Sequence, residues 1–250
     1  MTKGGQLEVD AAIAADLHGV EPRGETLSGR IVRELRADLF SGKLEPGQRL
    51  GTEASLAERF GVSRMAVRDS LRTLEASGIV DIRVGARGGI FVATANADRL
   101  AETLAIQIKL IGVDLEEILD AQIAIEVMAA ELAARNATAE DMAHLLRLIA
   151  TLQDQIEAPD AFTQTSMSFH EALVGASNNR VLIAQFKALR HVLEPVYARR
   201  TTSEIAHRAI ASHKAVVACI EARDPDAARD LMRRRLQVIR ARHLIRELPS

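Results

Sequence analysis

The chain has one cysteine, one tyrosine, no tryptophan and only six phenylalanines in 250 residues. A lone thiol, Cys219, excludes an intramolecular disulfide and a CxxC zinc motif, and its neighbours Val216, Val217 and Ile220 mark it as a buried apolar position. So few aromatics argue against a sheet-rich domain, whose pleated faces favour aromatic and β-branched side chains. No uninterrupted apolar run reaches the ~18 residues of a transmembrane helix. The opening MTKGGQLEVDAAIAADLHGV lacks a basic region followed by an apolar block, so it does not read as a secretory signal. A cytoplasmic protein with no membrane partner is the expectation. An excess of one charge is missing too: 32 Lys and Arg stand against 34 Asp and Glu, a net of −2.

What is abundant is Ala, Leu, Arg and Glu, all good helix formers. A mainly α fold follows: an N-terminal winged helix-turn-helix with a small β-hairpin, then an all-α bundle. Residues 1–24 read as a flexible tail. Residues 25–94 form the first domain. Leu27, Ile31, Leu35 and Leu39 recur at helical spacing and stop at the Gly/Pro turn SGKLEPGQ. Thr52 offers an N-cap to TEASLAERF, and Gly61 ends that helix. Ser63 caps a third helix that Gly78 ends, and IVDIRV and IFVA flank GARGG as a hairpin. Residues 97–248 are helical in period throughout, and turn-forming breaks divide them into about seven helices.

In the third helix Arg64, Arg68 and Arg72 recur every four residues beside the apolar stripe Val67, Leu71 and Leu74. A helix after a tight turn can enter the major groove of DNA with its N-terminal residues towards base edges. Ser63, Arg64, Met65 and Arg68 hold that position, and Arg87 sits at the hairpin tip. Total charge does not make this case, because residues 25–93 carry eleven basic and nine acidic side chains. Placement does: an isolated RxxxRxxxR is ordinarily a solvated face, and the helix-helix-turn-helix-hairpin order gives it a purpose.

In the second domain, polar residues interrupt three apolar stripes. Ser166 and His170 lie one turn apart on a face with Leu173 and Val174. His213 shares a stripe with Ile210, Val216, Val217 and Ile220, and Arg235 lies between Met232 and Ile239. Buried polar groups need partners, so the three stripes together imply a polar-lined cavity. Taken singly, each histidine would be a satisfied core residue, and Arg235 part of the solvated run at 233–235.

LFSGKLEPGQRL, LAERFGVSRMAVRDSLRTLEASGIV and GARGGIFVA resemble the DNA-binding half of GntR-type bacterial transcription regulators. The helical remainder is similar to the effector-binding (FCD) domain of the FadR-type subfamily. The resemblance implies a homodimer on a double-stranded operator of twofold symmetry, contacted by Arg64 and Arg68, with Ser63 and Met65 flanking them and the wing glycines Gly88 and Gly89 following the DNA. It also implies a small carboxylate or acyl effector, whose binding releases a repressor in the commoner arrangement. Many relatives carry Arg after the Glu of the second helix, where this chain has Ala54.

Relatives of this type often hold a divalent metal, of Zn or Ni type, with one Asp and three His. Here the ligand set is incomplete. His170 and His213 stand where two of the histidines are expected, but Ser166 replaces the Asp, Arg235 the third His, and Gln122 an Arg that reaches the effector. Two imidazoles are a poor Zn²⁺ site. The expectation is therefore no cofactor and no catalytic residues, with Arg235 supplying the positive charge and Gln122, Ser166, His170 and His213 neutral hydrogen bonds. Two alternatives stand beside it: an effector-independent architectural DNA-binding protein, and a small metal-dependent enzyme fused to a DNA-binding module.

Overall fold

The computed structural model describes residues 25–85 and 87–245. The expected tail, 1–24, and the last residues of the expected helical domain lie outside them. The chain divides into two compact units, with the boundary between Ala95 and Asn96.

The first unit contains α1 (Leu27–Phe40), β1 (Arg49–Gly51), α2 (Glu53–Phe60), α3 (Arg64–Ala76), β2 (Val80–Arg83) and β3 (Gly89–Val92). The side chains of Thr26, Thr52 and Ser63 cap the three helices, each accepting a backbone N–H of the first turn. Gly61 closes α2 in the left-handed region at φ 64°, and Val62 N–H returns to Ala57 O. That turn lets α3 start at once in a new direction. Ile31 and Leu35 of α1, Leu56 of α2, Val67, Leu71 and Leu74 of α3, and Ile90 and Val92 of β3 form one buried core.

The sheet has three antiparallel strands in the order β1-β3-β2. The sequence pattern shows β2 and β3 but not β1. Three residues with exposed or half-buried side chains carry no alternating pattern, and β1 is held by backbone pairing to β3.

The second unit is helical throughout its described residues: α4 (Ala97–Ile111), α5 (Leu115–Asn136), α6 (Ala139–Asp154), α7 (Pro159–Ala176), α8 (Arg180–Ala198), α9 (Ser203–Glu221) and α10 (Pro225–Ile245). Capping boxes open α5 at Asp114 with Glu117 and α6 at Thr138 with Asp141. The longest helices, α5 and α10, pack along one another, and α7 lies against α5, α6 and α8. Ala129, Ala130, Ala133 and Ala134 of α5 are fully buried, and such small side chains let neighbouring helices approach closely. Arg223, at φ 54°, reaches back so that its guanidinium donates to Ala134 O and Ala137 O at the end of α5. Cys219 is half-buried at the edge of this core, not enclosed by it. Its helical stripe turns towards the core at Val216, Val217 and Ile220, leaving the thiol at the margin.

No helix among the described residues is long and apolar enough to cross a membrane. Leu173 is fully buried in the bundle, and Leu146 is half-exposed on α6. Leu173→Ala should lower the unfolding free energy by about 2–5 kcal/mol, whereas Leu146→Ala should change it by less than about 0.5 kcal/mol. Urea denaturation followed by circular dichroism distinguishes the two.

Candidate functional site

Two surfaces carry the polar groups singled out in the sequence, one in each unit. In the first unit, the inward stripe Val67, Leu71 and Leu74 fixes the rotation of α3, so Arg64, Met65, Arg68 and Arg72 are exposed. Ser63 Oγ accepts the Ala66 N–H at 3.2 Å and holds the start of the helix. Arg68 is not loose: its Nε donates to Glu53 Oε2 of α2 at 2.7 Å. Glu53 thus orients one edge of the guanidinium and leaves the other to a partner. Beside it Ala54 is exposed and contributes no polar group.

At the hairpin, Arg87 is exposed next to Gly88 and Gly89. A Cβ at Gly88 would lie 2.3 Å from Arg83 O, and one at Gly89 would lie 2.8 Å from Gly51 O, so both glycines serve the close approach of backbone to backbone. Arg49 of β1 joins them, with its Nη2 donating to Gly88 O at 3.3 Å, and Arg83 lies over the Phe91 ring at 4.3 Å. Neither is apparent as a wing cation from the sequence. Arg49 belongs to the unpatterned strand, and Arg83 is simply an exposed position on β2.

In the second unit, α5, α7, the end of α8 with the residues after it, α9 and α10 line a cavity of about 420 Å³. Gln122, Ser166, His170 and Arg235 line it, together with Phe162, Met167, Ile205 and Ile239. Four arginines face it: Arg200, Arg208, Arg235 and Arg242. No carboxylate is among the lining residues. His213, expected as an effector contact, is fully buried behind the wall and does not line the cavity. It lies against Phe169, at 4.0 Å between ring centroids, on the core side of its stripe.

A chain of polar contacts joins these groups through the wall. Tyr197 Oη donates to Gln122 Oε1 at 2.7 Å, and Gln122 Nε2 donates to Glu126 Oε1 at 2.7 Å. Glu126 Oε2 pairs with Nδ1 of His170. His170 Nε2 then faces His213 Nε2 at 3.4 Å, and Arg235 Nη2 donates to that same His213 nitrogen at 2.8 Å. Gln122 therefore spends both ends of its amide inside the wall. Glu126 is the residue the sequence reading lacks. Its signal is a carboxylate one turn after Gln122 in the otherwise apolar IAIEVMAAELAA, a position where burial demands a partner.

The electrostatics follow from burial. Enclosure pushes the His213 imidazole well below its ordinary range, and Arg235 and His170 beside it add to that. His213 is thus neutral and accepts from the guanidinium. Burial also lowers Arg235, opposed by the charge of Glu126. Burial, then Glu126, pushes the Tyr197 hydroxyl up, so it stays a donor. Arg235 Nη1 is buried and has no hydrogen-bond partner among the described residues.

These groups do not suit a divalent metal. The two Nε2 atoms converge, but the guanidinium of Arg235 occupies the His213 lone pair. Glu126, held on the opposite nitrogen of His170, would support a ligand there but brings no oxygen to the Nε2 side, and Ser166 brings a hydroxyl in place of a carboxylate. A cation beside a fixed guanidinium would meet repulsion and too few ligands.

Known proteins agree with both units. Residues 27–92 match the family model described as bacterial regulatory proteins, gntR family, and residues 117–238 match the FCD domain. The putative L-lactate dehydrogenase operon regulatory protein of Escherichia coli K12 is 30% identical, over 85% of this chain and 84% of its own. The chain belongs to the GntR family. This GntR-family protein, with its FCD domain, is a ligand-responsive DNA-binding transcription regulator of the FadR type. The regulator Mce2R of Mycobacterium tuberculosis is 31% identical over 70% of this chain and 74% of its own. A GntR structure from Streptococcus agalactiae superposes with a TM-score of 0.60 at 19% identity, covering 86% of this chain and 99% of that one, which shows the shared fold.

Because the unfolded chain binds the His213 proton more readily, this GntR-family regulator should lose stability as pH falls through the unfolded histidine value of about 6.5, by up to about 1.36 kcal/mol per pH unit. His213→Gln should flatten that dependence between about pH 6.5 and 5. Denaturant unfolding of both proteins across that range is the measurement.

Proposed function

We propose that the protein is a cytoplasmic, homodimeric repressor released from a twofold operator by a small acid that binds beside Arg235. The observation that carries this reading is the Arg235 guanidinium. It lines the cavity, one nitrogen is fixed to His213, and the other is buried with no partner among the described residues. Such a group offers a charge-assisted hydrogen bond to a carboxylate. The regulatory subject named for the E. coli relative, an L-lactate dehydrogenase operon, is in keeping with an acid effector.

Switching requires that the effector bind one arrangement of the dimer better than another. Arg235 supplies a route, because α10 packs along α5, and the paired imidazoles of His213 and His170 lie between Arg235 and Glu126 of α5. An acid that draws the guanidinium towards the cavity weakens its hold on His213. For dimerisation, Leu100, Ile106, Leu110 and Ile111 of α4 leave an exposed apolar surface.

On DNA, Arg64 and Arg68 take the base-reading positions of α3. Ser63 and Met65 border them, and Arg87, Gly88 and Gly89 approach the backbone. The alternatives fit less well. An architectural binder has no use for a cavity faced by four arginines. An enzyme using His170 would need a carboxylate beside it that reaches a substrate, and no carboxylate lines the cavity, Glu126 being fully buried behind its wall.

With an operator fragment selected from random DNA and read by fluorescence anisotropy, Arg64→Ala should weaken binding by about 1–3 kcal/mol and relax specificity at one base pair. Arg235→Ala should leave operator affinity unchanged but abolish its loss on adding organic acids. An unchanged acid response would overturn the Arg235 reading.

The metal question has its own test. The native protein, purified without chelator, should carry no stoichiometric divalent ion. The double variant Ser166→Asp with Arg235→His should acquire about one Zn²⁺ or Ni²⁺ per chain. Metal in the native protein, read by atomic emission, would sink the idea that the guanidinium stands in for the ion.

A further inference from the structure

The cations of the cavity are not gathered at one point. Arg235 and Arg242 lie on the same helix two turns apart, about 10 Å along the axis. Ile239 stands between them on α10, and Ala209 and Ile205 of α9 add apolar surface to the same cavity. Arg208 of α9 also lines the cavity, and it lies on the Arg242 side of the His213–Arg235 contact because α9 and α10 are consecutive helices joined by a short turn. Each pole has a different counter-charge. Glu126, behind Gln122, partly offsets Arg235. Glu204 pairs with Arg208 at 2.7 Å, but both side chains are largely exposed, and a pair of that kind is worth little. Among the described residues Arg242 makes no hydrogen bond or ion pair, and it is exposed. A single carboxylate would satisfy Arg235 and leave the second pole untouched.

We infer that the effector is a dianion: an acid with a second anionic group, carboxylate or phosphate, separated from the first by a short apolar span. One group meets Arg235 on the cavity floor, and the other meets Arg208 and Arg242 at the far end. This inference rests on the acid-effector reading above and narrows it. The apolar span lies against Ile205, Ala209 and Ile239, which accept methylene groups and offer no polar contact. Two separated cationic poles select length as well as charge, because a diacid too short to reach Arg242 gains nothing over a monoacid.

Isothermal titration of the full chain tests this with acids matched in length: butyrate against succinate, hexanoate against adipate, and 3-phosphonopropionate as the phosphorus counterpart. At least one diacid should bind about tenfold or more tightly than its monoacid partner, the size of one charge-assisted contact. Arg208→Ala with Arg242→Ala should bring that diacid to within about twofold of the monoacid, since the second contact is what it gains. Arg235→Ala should weaken both. Both mutated mouth residues are exposed, so the double variant should keep its melting temperature.

Monoacids binding as tightly as diacids, or a diacid preference that survives the double substitution, would overturn the dianion and leave the acid effector standing. No binding by either series would overturn both readings. A tighter phosphonate assigns the far pole to phosphate and a weaker one assigns it to carboxylate. Either order supports the dianion, provided both compounds exceed the monoacids.

Discussion

Burying Glu126 and Arg235 in one helical bundle is the constraint around which the second unit is arranged. A carboxylate with no exposure is tolerated only when its oxygens are satisfied and an opposite charge lies near. Gln122 takes one oxygen and His170 the other, while Arg235 supplies the field. That requirement sets which faces of α5, α7, α9 and α10 meet. If α5 were rotated by one residue, about 100°, Glu126 would lose His170, and Gln122, which turns with it, would lose Tyr197. Apolar packing makes the bundle stable, and the polar chain makes its registry unique.

The same chain ties the cavity to the interior. His170 is held on its Nδ1 side by Glu126, so its Nε2 edge is turned towards His213 and the cavity wall. His213 is enclosed and kept neutral, and so it can accept from a guanidinium. The cavity floor is thus one end of a relay that runs through α7 to α5. Any ligand that competes for Arg235 acts on all of it, because each member has few alternative partners in a dry interior.

Most of the fold is legible in the sequence, because the devices that build it are local. Thr52, Ser63 and Gly61 announce helix ends by residue type, and periodic Leu and Val positions announce the inward faces. The strand Arg49–Gly51 is not legible, since it depends on a partner distant in sequence and has no pattern of its own. The candidate site divides in the same way. Ser166, His170 and Arg235 stand out as polar interruptions of apolar stripes. Glu126 hides among glutamates that are solvated elsewhere on the chain, and only tertiary packing shows that it is enclosed. His213 looks like a cavity residue because a stripe gives direction but not depth. Arg200, Arg208 and Arg242 are indistinguishable from solvated charges until the helices that carry them are brought together.

A guanidinium set against an imidazole differs from a bound ion in one respect that reaches beyond the site. It is synthesised with the chain, so it cannot be stripped by a chelator, exchanged for a competing ion, or lost when the cell is starved of transition metals. A sensor built on Arg235 would keep its response under nutritional conditions that silence a metal-loaded one. It gives up adjustable coordination in return: a planar fork recognises flat anions in fixed directions, whereas an ion can take on extra ligands. Durability is gained and chemical latitude is lost.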